Sequence, residues 1–283
     1  MRSLLERSVT SAEQRVVLLA PACSPVPDFF RNVPTDTQLH GELLADVQRL
    51  RGLVYVEDGA VRRDQLSSDG RYVTPEDARA WHLMLFNGGR ISSCVWYLQH
   101  DNAWSVEDLR ARSCPLNDDE RWRDVFRAAV AGELVRARQD RLRYVELGGW
   151  AVAPDSRNMG DGLVLALAAY SLGRAFGGAL GLTTATVRHA SSTILRRLGG
   201  SSLEAGGAAV PAYYDLRYNC EMELLRFDSR RPNPRYAGVI DLLKDRLATI
   251  PVIACHGKAA PAVRAAAPAL QWQPVVATGG AAA

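Results

Sequence analysis

The chain has no CxxC pair, no extended basic run and no apolar stretch approaching the ~20 residues of a membrane-spanning helix. Its five cysteines (Cys23, Cys94, Cys114, Cys220 and Cys255) are scattered and odd in number. That excludes a disulfide framework and a cysteine-based zinc site, and suits a reducing, cytoplasmic compartment. The net charge is only +3, without alternation of basic and aromatic residues, so no nucleic-acid partner is expected. The apolar run near the start, 16–21, is too short for a secretory signal. HExxH, GxSxG and a Cys/His nucleophile arrangement are all missing, which argues against a covalent enzyme intermediate.

What is present is an ordinary globular composition, 47% hydrophobic and 23% charged over 283 residues. One domain over 36–250 is expected. Before it, residues 1–35 hold four prolines and read as an arm or one edge strand at 16–19. After it, residues 251–283, rich in Ala, Pro and Gly, read as a disordered tail. Apolar spacing predicts helices over 37–53, 118–139, 162–176 and 191–198. Strands are predicted over 81–86 and 90–99, joined by the hairpin signal Asn87-Gly88-Gly89, and over 144–152, 180–187 and 220–227. Such alternation builds an α/β (α+β) domain, a mixed central sheet with helices on both faces.

The most informative stretch is 146–200. Within it Arg157-Asn158-Met159-Gly160-Asp161-Gly162 joins a strand to an apolar helix. A glycine-rich turn at a helix start offers backbone N–H groups and the positive end of the helix dipole. Two glycines let a phosphate approach the backbone, and Arg157 adds a charged contact. No Lys-Ser/Thr follows, so this is not a P-loop, and Leu165 stands where a dinucleotide fingerprint needs its third glycine.

Arg157-x-x-Gly160-x-Gly162, after a strand ending Val152-Ala153-Pro154, resembles the R/Q-x-x-G-x-G/A acyl-carrier loop of the GNAT superfamily. More narrowly, Glu146-Leu147-Gly148-Gly149-Trp150-Ala151-Val152 is similar to the E-L-S-R-F-A-V strand of acyl-homoserine-lactone synthases and related N-acyl amino acid synthases. The helix inserted before that strand, Arg51, Tyr55, Asp69 and the segment PEDARAWHL fit the same branch. Gly149 stands where the lactone synthases carry arginine, and Leu195 where many GNAT enzymes place an acidic tyrosine.

The resemblance implies a GNAT fold and no permanently bound cofactor. Acyl-CoA or acyl-phosphopantetheine on an acyl carrier protein would be co-substrate, and a small amine such as an amino acid would be acceptor. Val152, Arg157, Asn158, Met159, Gly160, Asp161 and Gly162 would hold the donor, and amides near Val152 would polarise the thioester carbonyl. Arg51, Trp81, His82 and Trp150 would meet substrate, although from the residues alone His82 reads better as a core or surface residue. Glu146 is the candidate base for the acceptor ammonium, directly or through water, unless it points to solvent or pairs with an arginine. Arg188, Arg196 and Arg197 flank the carrier end or a solvated helix face. Glu221 and Glu223 read mainly as a solvated strand face, and Tyr213 and Tyr214 mainly as packing. Two other functions fit the same residues: acetyl-CoA-dependent N-acetylation, or acyl-CoA binding without turnover.

Overall fold

A computed structural model describes residues 14–22, 24–157, 160–188 and 191–256. Alternating apolar residues make the central strands two-faced. In β2 (Trp81–Asn87), Leu83 and Leu85 pack on one side and Met84 on the other. The hairpin to β3 (Arg90–His100) turns through Gly88 and Gly89, both at positive φ, which glycine adopts without steric cost. The sheet continues antiparallel into β4 (Arg143–Val152), and β4 then pairs in parallel with β5 (Ala179–Thr186).

The remaining strands are β1 (Gln14–Leu19), β6 (Ser201–Ser202), β7 (Glu204–Ala205), β8 (Ala208–Ala209), β9 (Tyr213–Asp215), β10 (Cys220–Asp228) and β11 (Val252–Ile253). The main sheet runs β11-β1-β2-β3-β4-β5-β10-β6, with β9 paired to β10, while β7 and β8 form a separate hairpin.

Helices α1 (Thr37–Glu57), α2 (Arg123–Gln139), α3 (Asp161–Ala175), α4 (Ser191–Leu198) and α5 (Pro234–Leu247) cover the two faces. α3 and α5 pack over Val95, Val145 and Leu147, whereas α1 covers Met84, Cys94 and Ala151 on the opposite face. α2 buries Phe126, Val130 and Leu134 against Tyr144, Leu180 and Leu182.

Three differences from the sequence expectation have clear causes. The helix expected from 118 starts at Arg123, because Asp119 accepts the N–H groups of Arg121 and Trp122 and closes a separate turn first. The strand expected at an edge, β1, lies between β2 and β11, and β11 falls inside the stretch 251–283 expected as tail. Residues 257–283 lie outside the described residues. Helix α5 was not expected, although Asn233 accepts the Arg235 N–H, Pro234 occupies its first turn, and Tyr236, Val239, Ile240, Leu243 and Leu247 form its buried stripe.

Ile240 is fully buried where α5 crosses α3, and its carbonyl accepts from the Ser171 hydroxyl. Ile240→Ala should therefore lower unfolding free energy by about 3 kcal/mol in urea denaturation. A change below about 0.5 kcal/mol, the range of surface substitutions, would place α5 outside the cooperative core.

Candidate active site

The site originates in one extra residue. Between Trp96↔Gly148 and Cys94↔Ala151, β3 supplies one residue, Val95, where β4 supplies two, Gly149 and Trp150. Gly149 takes φ +62°, and a Cβ at Gly148 or Gly149 would overlap the Trp96 indole. A bulge shifts the side-chain alternation by one. Val145 and Leu147 thus face α3, yet beyond the bulge Trp150 also packs on the α3 side and Ala151 turns towards α1.

Pairing between β4 and β5 stops at Leu147↔Thr183, while β5 stays bonded to β10 through Thr186↔Met222. The strands part, and a cleft of about 390 Å³ opens between them. Its depth is apolar: Val95, Leu147, Ala166, Ala169, Ile194 and Leu195 line it. The small side chains of α3 leave the space that larger residues would fill.

The start of α3 borders the cleft. Gly160 takes φ +80° as the residue preceding the helix, with open space where a Cβ would be. Gly162 lies against Trp150, and a Cβ there would come within 3.0 Å of the indole. Gly160, Gly162 and Arg157 all line the cleft, and helix geometry leaves first-turn N–H groups without intrahelical partners. Arg157 is partly exposed and pairs with Asp58 at 3.2 Å and Glu57 at 3.5 Å, at the end of α1. The Asp161 side chain turns inward instead: fully buried, it accepts from the Ser92 hydroxyl at 2.7 Å and ties α3 to β3. Of the expected donor residues, Asn158 and Met159 lie outside the described residues, and Val152 lines the cleft.

The cleft also carries a cluster that the sequence reading did not assemble. The Tyr55 hydroxyl donates to the Trp150 carbonyl at 3.3 Å, and its ring meets those of Tyr72 and Tyr218 edge-on. Burial, with Tyr218 next, pushes the Tyr72 phenol up to about 12. The Arg110 Nη2 donates to the Tyr218 hydroxyl at 2.8 Å, and the guanidinium sits 5.7 Å from the Trp96 ring centroid. Arg110 lies in a single turn, Arg110–Ser113, without apolar periodicity, so only topology brings it here. Trp150 lines the cleft as expected, with its indole N–H buried and unpartnered among the described residues.

Glu146 is buried beneath this cluster and does not line the cleft. Its carboxylate accepts from His100 Nε2 at 2.8 Å, the Arg110 N–H at 2.7 Å and the Ala111 N–H at 2.8 Å. A second chamber of about 20 Å³, bordered by Glu146, Arg110, Thr183 and Tyr213, separates it from the cleft.

Three expected substrate contacts lie elsewhere. Trp81 is core, packed on Phe30 and Phe176. Arg51 is fully buried behind the bulge, with Nη2 on Asp77 at 2.7 Å and on the Tyr72 carbonyl. Burial opposes its charge, but Asp77 holds the guanidinium above its usual range. His82 is buried too, and its Nε2–H donates to the Asp77 carbonyl at 2.9 Å. Arg188 lines the cleft and donates to the carbonyls of Asp58, Tyr218 and Asn219. Glu223 is engaged by Ser192 and Arg196 of α4.

A mixed sheet splayed between two parallel strands, with a glycine-opened helix at the splay, is the GNAT fold. The chain resembles a solved CoA-dependent acyl-homoserine lactone synthase, BjaI, with TM-score 0.50 at 16% identity, covering 85% of this chain and 93% of that one. FeeM, an N-acyl amino acid synthase from uncultured soil microbes, aligns over 77% of this chain and 93% of its own at 13% identity and TM-score 0.47. No family model and no curated relative matches the sequence.

Burial is the main cause that lowers His82 to about 4 from an ordinary value of 6.5. The unfolded chain therefore binds this proton below pH 6.5 and the folded chain only near pH 4. The contribution is intact above pH 6.5 and is lost as pH falls through that window, by about 3 kcal/mol. His82→Gln should flatten this part of the stability–pH curve in urea titrations at pH 4 to 7. An unchanged slope would mean that another group sets it.

Proposed function

We propose that the chain is an N-acyltransferase that moves an acyl group from a thioester, acyl-CoA or acylated carrier protein, onto the amine of an amino acid or similar small molecule. The observation that carries this is the make-up of the cleft: a helix N-terminus with Arg157, suited to phosphate, the polar side chains of Tyr55, Tyr218 and Arg110, and an apolar depth all line one cavity. The apolar depth favours a medium or long acyl chain over acetyl, since an acetyl site needs no such room.

In this reading the first turn of α3 and Arg157 receive the diphosphate or the pantetheine arm. The arm runs along the freed edge of β4, where amides near Val152 polarise the thioester carbonyl. The amine lone pair attacks that carbon, the C–N bond forms, the C–S bond breaks and the thiolate leaves. The ammonium proton reaches Glu146 only through the 20 Å³ chamber, which has room for one water. The lactone synthase BjaI has been solved with SAM and isopentyl-CoA; a CoA thioester is the corresponding donor here. Trp96 fills the space next to Gly149, where the lactone synthases carry arginine, so the product is an open amide rather than a lactone.

Organic extracts of cells expressing the chain should contain N-acyl amino acids that cells expressing Arg157→Ala lack. In binding assays that substitution should weaken CoA about tenfold, the scale of one charge-assisted contact. Thiol release from acetyl-CoA with simple amines, without new amides in the extracts, would instead identify an acetyltransferase. Tight acyl-CoA binding without thiol release would identify a binding module.

A further inference from the structure

Arg110 is held from four directions. Its own N–H and that of Ala111 are bound by Glu146, its guanidinium lies over Trp96, Nη2 donates to Tyr218, and Nε is 3.5 Å from Glu76. Glu146 is in turn fixed by His100. A guanidinium carries five N–H donors, and no described residue takes a hydrogen bond from Nη1. Of the other two cleft arginines, Arg157 belongs to the donor loop in the reading above, and Arg188 donates to backbone carbonyls.

The position is as telling as the bonding. Tyr55 touches the Trp150 carbonyl on β4, and its ring lies 6.4 Å from that of Tyr218, Arg110's partner. Arg110 therefore stands two tyrosines away from the freed end of β4, and it lines the cleft. An acceptor held there by an anionic group presents its amine towards β4. A planar fork of N–H donors matches a carboxylate, and a neutral amine has no use for it.

We propose that Arg110 selects acceptors that carry a carboxylate, and that Glu146 is the positioning residue that sets Arg110 in place. This rests on the acyltransferase reading above. Glu146 does so by holding the Arg110–Ser113 turn through two backbone N–H groups. The same carboxylate engages His100, so one buried side chain fixes the turn to β3 and β4 together.

The test uses the purified full chain with octanoyl-CoA and octanoyl-loaded acyl carrier protein supplied together. Acceptors are amino acids or the amines left by their decarboxylation. The wild type should favour amino acids. Arg110→Gln should cut kcat/KM for them by about 10- to 100-fold, the scale of a lost charge-assisted pair, and leave the matching amines within threefold. Arg110→Lys should fall between, and Glu146→Gln should shift the same preference. Donor KM should stay constant throughout. Equal losses on both acceptor sets, or a rise in donor KM that puts Arg110 on a donor phosphate, overturn the assignment. A Glu146→Gln variant with lower kcat and unchanged preference overturns the positioning role and leaves only a proton relay. If Glu146→Gln does not fold, Tyr218→Phe tests the same clamp, with a partial loss of preference expected and none contradicting it. No amide from either acceptor set defeats the acyltransferase reading itself, and this inference with it.

Discussion

One surplus residue in β4 governs the rest of the site. Had β3 and β4 kept a regular ladder, Trp150 would face α1 and Ala151 would face α3. The bulge reverses both, and the two glycines at 148 and 149 leave the volume that the Trp96 ring occupies. The carbonyl of Trp150 is then within reach of Tyr55, and the strand swings away from β5 after Leu147. A cleft at the carboxyl ends of two parallel strands is the geometric consequence, because backbone pairing there has ended while both strands continue.

The electrostatics follow the same division. Behind the bulge, the pair Arg51–Asp77 is buried and closed, with Gln48 and Thr74 completing the carboxylate's bonds. Such a pair is costly to break, since removing one partner strands a buried charge. It holds α1 against the segment that carries Tyr72 and His82, and so supports the wall bearing Tyr55. In front of the bulge Arg157 is partly exposed and Arg110 half-buried, and both line the cleft. Arg51 and His82 are buried behind it and belong to the framework.

Much of this was legible in the sequence, and the exceptions share a cause. The hairpin at Gly88-Gly89, the stripes of α1 and α2 and the glycine-opened α3 follow from local spacing, which residues a few positions apart can encode. Helix α5 is equally local, marked by Asn233-Pro234 and its stripe, and lies inside the expected domain 36–250, although no helix was expected there. Arg110 and Tyr218 are 108 positions apart. Their meeting depends on the register of β4 and the path of an irregular turn, neither of which has a period to read. Glu146 shows the limit most clearly: its identity as a buried strand carboxylate was visible, but its three donors come from other segments.

Hydrogen exchange on the intact protein tests the central claim most directly, namely that the parted β4–β5 edge and the first turn of α3 together receive an acyl thioester. Adding octanoyl-CoA should slow exchange in peptides covering 148–153, 160–165 and 183–188, and leave those covering α2 and β7–β8 unchanged. Protection confined to other elements, or none at saturating donor, would contradict the account.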